Sequence, residues 1–327
     1  MDQLTGITLF SGIGGAAYGM KKAGIRMIAS VEYDEENSKY SDYCKRVSSI
    51  NFPDCHFYKA KVEEVAAYLP RCDVLQASPV CSNLSVANHM RSYVASKQKG
   101  KETRRDHVMA KGIVTAIRST CPTYFWLEQV PAYLKSDSFG IIKNFLDAAG
   151  YEMKIKVIDA ADYGVPQNRK RLILLASKNG LWDFPSERLR MGWKEAIAGI
   201  ELMPGKLSER QILTLINKTK KGIEYDMKKG ILVQNDGLSP TIRRYDQPIW
   251  TLTRNTFKDR ETSAVGTIVD DEGLWYIPVK GIARLCGFPD DFYIESRYGG
   301  QGLGYAVPPL LAQVLTQKLT RNISHVF

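Results

Sequence analysis

Histidine is scarce in this 327-residue chain, with four copies, and cysteine is sparse, with six. Cys44, Cys55, Cys72, Cys81, Cys121 and Cys286 show no C-x-x-C spacing, and no two histidines stand four apart. Those absences argue against a zinc cluster and against a disulfide framework, so no metal is expected and the thiols suit a reducing compartment. No uncharged apolar run approaches the roughly 20 residues of a membrane span, so no membrane role is expected. The opening MDQLTGITLF has no basic stretch ahead of a long apolar core, and it does not read as a secretory signal. No internal repeat is visible. Together these point to a cytoplasmic protein, and 44% hydrophobic content supports one large domain plus a small one.

Positive charge is in excess. Lys and Arg number 45 against 35 Asp and Glu, a formal net charge of +10. Such an excess favours a polyanionic partner, but its placement says more than its sum. Between Ser82 and Arg105 there are six basic residues and one acid, in the polar run SNLSVANHMRSYVASKQKGKETRR. The run reads as a basic loop with few aliphatic anchors. It follows Cys81 directly, and Cys81, in ASPVCSNLS, stands at the mouth of the apolar run DVLQA. A thiol there is either a small turn filler or a nucleophile, and the adjacent basic loop favours the second.

Apolar runs suited to strands recur as ITLF (7 to 10), IRMIASVE, DVLQA (73 to 77), YFWLE (124 to 128), MKIKVID (153 to 159) and RLILLA (171 to 176). Helical patterns fall between them, in AAYGMKKAG, VMAKGIVTAIRS (108 to 119) and FGIIKNFLDAAG (139 to 150). The alternation predicts a buried, largely parallel sheet with helices on both faces. It stops near residue 178. From 178 to 262 the chain is lysine-rich, with sixteen basic residues against eleven acids and weak periodicity. Two helices are expected there, WKEAIAGIEL and SERQILTLINK, the latter with Ser208 as N-cap and Gln211 three residues on. The apolar pattern returns in YIPVKGIARLCGFPDDF and in YAVPPLLAQVLTQKL, with Pro309 suited to a first helical turn. The expected division is therefore a large domain, 1–177 and 263–327, interrupted by a small basic one, 178–262.

FSGIGG, between the first strand and the first helix, allows a tight turn and close approach of a ligand to backbone N–H groups. Glu32 lies twenty residues after Gly12, at the end of the second strand. A carboxylate there can accept hydrogen bonds from both hydroxyls of a ribose. The full dinucleotide fingerprint is absent, and so is a P-loop lysine, so a nucleoside cofactor without a pyrophosphate fits best.

Six segments resemble, in order, the motifs of the C5-cytosine DNA methyltransferases. FSGIGG resembles their opening cofactor loop and SPVC their nucleophile loop, usually Pro-Pro-Cys-Gln. EQVP (128 to 131) resembles their Glu-Asn-Val, and QNRKR (167 to 171) their Gln-x-Arg-x-Arg. ARLCGFPDDF (283 to 292) and GYAVPP (304 to 309) resemble the re-entry segment and the closing cofactor motif. The resemblance spans nearly the whole chain and leaves 178 to about 240 as the family's variable part.

That resemblance implies a Rossmann-like α/β methyltransferase sheet with a small inserted target-recognition domain, S-adenosylmethionine as donor and double-stranded DNA as substrate. It implies a catalytic set of Cys81, Glu128, Arg169 and Arg171. Cytosine carbon 5 is a poor nucleophile until a thiolate adds at carbon 6. Glu128 ends an apolar strand, where burial could raise its pKa and let it serve ring nitrogen 3 and the exocyclic amine. Arg169 and Arg171, two apart, point the same way if extended, towards the base's oxygen 2 edge and a phosphate. The implied cofactor contacts are Phe10, Gly12, Gly14, Glu32, Val62, Pro79, Tyr305 and Val307. A base inside a duplex is out of reach, so it must be extruded, with Ser85, Arg91, Lys97 and Lys99 as candidate backbone contacts. Lys220, Lys221, Arg243, Arg244, Thr253 and Arg254 are candidate readers of a short target sequence.

Several positions depart from the family pattern. Val80 and Ser82 flank the thiol, Gln129 follows the glutamate, and Lys61 stands where the third cofactor motif carries an acid, with Glu63 nearby. Val279 and Lys280 replace Arg-Glu, and Tyr305 replaces an asparagine. The wider expectation is a monomeric, prokaryotic or phage-encoded enzyme, paired with a restriction endonuclease or solitary. Two other readings stay open: the same chemistry on tRNA, and a non-catalytic DNA-binding subunit on this fold.

Overall fold

The computed structural model describes residues 3–80, 102–180, 182–235, 241–253 and 265–323. They form two compact units. One comprises Met1–Asp159, Lys170–Ser186 and Ala306–Phe327, and the other Ala160–Arg169 and Glu187–Tyr305. These breaks differ from the boundaries expected from periodicity, because residues 265–305 group with the second unit. The reason is strand pairing, described below.

The first unit is built on a seven-stranded sheet: β1 (Thr5–Leu9), β2 (Arg26–Val31), β3 (His56–Tyr58), β4 (Val74–Ala77), β5 (Tyr124–Gln129), β6 (Glu152–Asp159) and β7 (Lys170–Ser177). The order is β3-β2-β1-β4-β5-β7-β6. The first five are parallel, while β7 runs antiparallel to both β5 and β6. All six strands expected from apolar runs are present, and the sheet is largely parallel as expected. The chain leaves β1 in one direction to β2 and β3, then returns to the other side for β4 and β5. The strand order thus reverses between β1 and β4, the place where open α/β sheets bind ligands at the carboxyl ends of their strands.

One face of the sheet (Ile7, Leu9, Leu75, Ala77, Phe125, Leu127) is covered by the helices Arg104–Thr120 and Asp137–Ala148. The helices Gly15–Lys22 and Pro309–Ile323 pack against each other, also in this unit. Their approach is close. A Cβ at Gly19 would lie 2.2 Å from the Pro309 carbonyl oxygen and 2.6 Å from Ala312 Cβ. The helix Ser38–Asn51 and strand β3 were not singled out from sequence. The helix is capped by Asn37, whose side chain accepts from Tyr40 N, and buries Tyr40, Tyr43, Cys44, Val47, Ser48 and Asn51.

The second unit holds a five-stranded antiparallel sheet of β8 (Met203–Pro204), β9 (Ile231–Val233), β10 (Ile242–Arg244), β11 (Thr267–Val269) and β12 (Leu274–Tyr276), in the order β10-β9-β11-β12-β8. Strand β11 lies beyond residue 263 yet pairs with β9, which is what carries residues 265–305 into this unit. The helix Glu209–Lys220 forms with Ser208 and Gln211 in a capping box, as expected. The other expected helix is helical only over Trp193–Ala196, and Gly199 (φ 73°) follows in the left-handed region. No helix among the described residues is long and apolar enough to cross a membrane.

Candidate active site

The turn after β1 is held open by left-handed backbone. Phe10 (φ 57°), Gly12 (φ 53°) and Gly14 (φ 93°) all lie there, and Phe10 does so as a non-glycine residue, a conformation that costs energy and clusters at functional sites. Gly14 caps the helix Gly15–Lys22, and a Cβ on it would meet the Phe52 ring at 2.7 Å. A Cβ on Gly12 would meet nothing nearer than Tyr40 Oη at 3.9 Å, so space is open beside it. Gly12 N donates to Glu32 Oε2 at 2.7 Å. Glu32 is buried, and desolvation pushes its carboxyl up to about 7; the Gly12 N–H opposes this, and Asp34 adds to it. Ser11 Oγ is buried with no partner among the described residues. An orphan hydroxyl, a buried carboxyl and an open glycine backbone form a polar cradle suited to a sugar-bearing ligand.

β4 delivers its loop to the same place. Ser78 N donates to Leu9 O and Ser78 Oγ to Phe10 O, each at 3.3 Å. Ala77 pairs with Leu127 in register, so Pro79 and Gln129 lie level, two residues further along each chain. Gln129 Nε2 donates to Pro79 O, while Gln129 Oε1 accepts from Val130 N at 2.5 Å. The side chain that replaces the family's asparagine therefore ties Pro79 to the end of β5. Cys81 itself, with Ser85, Arg91, Lys97 and Lys99, lies outside the described residues.

Of the described thiols, Cys44, Cys72 and Cys286 are buried, Cys55 is half-buried and Cys121 is exposed. Burial pushes Cys72 and Cys286 up to about 12 and raises Cys44 and Cys55. Cys121 follows the helix Arg104–Thr120, ahead of the start of β5 and at the opposite end of that strand from Glu128.

Glu128 is buried at the end of β5, and Arg171 Nε reaches its Oε1 at 2.8 Å. The contact follows from register. Glu128 pairs with Ile173 in the antiparallel ladder, and Arg171, two residues before Ile173, is its diagonal neighbour on the same face. Arg171 Nη1 also donates to Lys170 O at 2.7 Å. Arg169 does not join this pair. It precedes the strand, is buried in the second unit, and Nη1 donates to Leu252 O (3.1 Å) and Gly304 O (3.4 Å). The expectation that both arginines point the same way from an extended segment is therefore corrected: β7 starts at Lys170, so the alternation does not extend to Arg169.

The other expected site residues are spread more widely. Val62 is buried at the start of the helix Val62–Val65. Lys61, just before it, pairs with Glu35 (2.6 Å), and Arg105 lies 3.9 Å from Glu35 and 3.7 Å from Glu36. The Lys61 ammonium is thus engaged on an exposed acid, and the Glu63 side chain is exposed. Tyr305 ends the helix Ser296–Tyr305, and Val307 is buried just beyond it. In the second unit Lys220 and Lys221 are exposed at the end of their helix. Arg243 and Arg244 sit on the edge strand β10, on opposite faces because they are consecutive. Arg244 faces Asp246 at 3.5 Å, and Arg243 Nε is buried without a partner among the described residues. Thr253 is half-buried, and Arg254 lies outside the described residues. Sequence reasoning gave no role to Ser11, Ser78 or Gln167, although each stands inside a motif already singled out.

A family model described as C-5 cytosine-specific DNA methylase matches residues 4–321. The chain belongs to that family. Its members include relatives of nearly the same length. The chain is 26% identical to Type II methyltransferase M1.HphI of Haemophilus parahaemolyticus, over 97% of this chain and 87% of that one. It is also 26% identical to Type II methyltransferase M.HpaII of Haemophilus parainfluenzae, over 100% and 92%. The fold matches the solved Dnmt2 methyltransferase of S. pombe (TM-score 0.63, 16% identity, 98% of this chain and 99% of that one). It also matches the Entamoeba histolytica methyltransferase EhMeth (TM-score 0.62, 17% identity, 98% and 99%). Membership makes the chain a DNA (cytosine-5) methyltransferase on a Rossmann-like methyltransferase sheet.

Proposed function

We propose that this methyltransferase modifies a cytosine swung out of duplex DNA, through a covalent adduct with Cys81, using S-adenosylmethionine as donor. The observation that carries the reading is the convergence at the sheet's carboxyl edge: the glycine turn with Glu32, the loop of Pro79 tied by Gln129, and the buried Glu128–Arg171 pair. The cradle fits the donor. Glu32 accepts from its ribose, the backbone of Gly12 and Gly14 and the Ser11 hydroxyl face its amino-acid end, and Phe10 packs on its adenine, with Val62, Pro79, Tyr305 and Val307 completing the contacts. When bound, S-adenosylmethionine supplies the electrophilic methyl that carbon 5 attacks.

The chain's own groups make carbon 5 reactive. The Cys81 thiolate adds to carbon 6, and the electrons of the 5,6 double bond move into the ring. Glu128 holds the exocyclic amine and neutralises charge at ring nitrogen 3 as the thiolate adds. Arg171, already at 2.8 Å from Glu128, fixes that carboxylate and lies beside the base's oxygen 2 edge. Loss of the carbon 5 proton to water then expels the thiolate. Ser85, Arg91, Lys97 and Lys99 hold phosphates around the extruded nucleotide.

Sequence choice resides in the segment from about 200 to 262, within the inserted region 178–262, with Lys220, Lys221, Arg243, Arg244, Thr253 and Arg254 as readers. The names of the relatives place them in type II systems, and this chain is read likewise, as a cytoplasmic, monomeric modification enzyme with a cognate endonuclease. The test is a duplex carrying 5-fluorocytosine in the target site. With donor present the wild type should form a covalent adduct resistant to denaturation, because fluorine does not leave as a proton does. Cys81→Ser should form none. An adduct of equal yield in that variant would sink the assignment of the nucleophile.

A further inference from the structure

Two side chains of the segment QNRKR, those of Gln167 and Arg169, meet the backbone of one residue, Leu252. Residues 166–169 run alongside 249–252 in the second unit. Ile249 N donates to Pro166 O (3.0 Å), Asn168 N to Ile249 O (2.8 Å) and Thr251 Oγ1 to Asn168 O (2.5 Å), with Gln167 and Ile249 in a parallel bridge. Side chains then close on the next residue. Leu252 N donates to Gln167 Oε1 (3.3 Å), and Leu252 O accepts from Arg169 Nη1 (3.1 Å). The far ends of both side chains are held as well. Gln167 Nε2 faces Leu285 O and Cys286 Sγ, each at 3.5 Å, and Arg169 Nη1 also reaches Gly304 O at 3.4 Å.

Gln167 is 1% exposed, Arg169 4% and Leu252 0%. Both peptide groups of Leu252 are therefore held by buried side chains that are themselves braced. An arginine buried against carbonyls forms charge-assisted hydrogen bonds, stronger than neutral ones. The residue that follows is Thr253, one of the readers named above. Fixing the Leu252–Thr253 peptide fixes where Thr253 stands.

We propose that Gln167 and Arg169 are positioning residues that set sequence discrimination, by locking the Leu252 backbone, and that Arg169 makes no contact with the cytosine. This rests on the reading of the chain as a sequence-selective DNA cytosine methyltransferase. A Thr253 displaced by a fraction of an ångström loses its match to a base edge, while the chemistry proposed at Glu128 and Arg171 is untouched.

The experiment first establishes the wild-type target by bisulfite sequencing of DNA from an expressing host. Single-turnover rates are then measured on the cognate duplex and on duplexes each altered at one base pair beside the target cytosine. The variants are Gln167→Ala, Arg169→Met and Arg169→Lys. The ratio of cognate to altered rates should fall about tenfold or more in Gln167→Ala and Arg169→Met, equivalent to losing one good base contact. Arg169→Lys, which keeps one donor, should fall less. Rates that drop in equal proportion on every duplex, leaving the ratio intact, would overturn the proposal in favour of a structural or catalytic role. If Arg169→Met does not fold, by circular dichroism, Gln167→Ala and Arg169→Lys still decide. A wild type that methylates no duplex would instead refute the functional reading itself, whereas an active wild type with unchanged ratios in the variants refutes only the positioning role.

Discussion

Donor affinity should rise with pH through neutrality, and Glu32 is the reason. Its carboxyl is buried, and desolvation holds it up at about 7 against an ordinary 4.5. Only the ionised form can accept from both hydroxyls of a ribose while also taking the Gly12 N–H at 2.7 Å. At pH 6 roughly one molecule in ten carries that ionised form, so the apparent affinity should be about tenfold below its plateau above pH 8. The proton linkage gives a second signature: binding at pH 6 should release close to one proton, and at pH 8.5 almost none. The sign for stability is opposite. The folded chain keeps a proton on Glu32 that the unfolded chain loses at its lower pKa. Its contribution is therefore fully present below pH 4.5 and falls between 4.5 and 7, by on the order of 3 kcal/mol. Calorimetric titration with S-adenosylmethionine from pH 5.5 to 8.5, in two buffers of different ionisation enthalpy, measures affinity and proton release together. Glu32→Gln should bind about 10- to 100-fold more weakly at pH 8.5, the loss of a charge-assisted hydrogen bond, with little pH dependence. A flat wild-type profile, or a Glu32→Gln profile that retains the same slope, would refute the assignment of this carboxyl to the donor.

Arg171→Ala should destabilise the fold by about 3–5 kcal/mol, because it leaves the buried Glu128 carboxylate without its partner, and a denaturant midpoint measured with an unchanged slope would register it. Gln129→Ala should cost only about 1 kcal/mol of stability, since it removes one side-chain tether, but it should slow adduct formation on the fluorinated duplex by about tenfold or more; an unaltered rate would show that the Pro79 tether is irrelevant to the nucleophile's placement. Gly19→Ala should lower stability by about 1–3 kcal/mol, as its methyl would fall 2.2 Å from the Pro309 carbonyl oxygen and force the helices Gly15–Lys22 and Pro309–Ile323 apart, which a thermal melt would report.

The parallel sheet was legible because its strands are buried on both faces and read as continuous apolar runs, as in β4 and β5. The helix Ser38–Asn51 was not, although its buried positions recur at helical spacing. Apart from Val47 those positions are occupied by tyrosine, serine, cysteine and asparagine, so the periodicity is invisible to a reading that counts aliphatic residues. The second unit hid its sheet for a different reason. Strands β9 to β12 are three residues each, too short for an alternation to be distinguished from chance. Trp193–Ala196 illustrates the opposite error. The apolar spacing of WKEAIAGIEL continues past the point where Gly199, in the left-handed region, follows a helix already ended.

The candidate site was legible as a set of motifs but not as a geometry. Phe10, Glu32, Pro79 and Glu128 belong to the carboxyl ends of parallel strands, so a sequence that places each after an apolar run also places them at one edge of the sheet. Arg171 breaks that rule, since it stands near the start of its strand. It reaches Glu128 only because β7 is inserted antiparallel beside β5, which brings a strand's start to the edge where the others end. Direction in a sheet depends on how the chain returns between strands, and nothing in KRLILLAS encodes it. Arg169 lies just outside that strand. One residue before β7 begins, it groups with the second unit, so two arginines separated by a single residue serve different partners: one the Glu128 carboxylate, the other the backbone of Leu252.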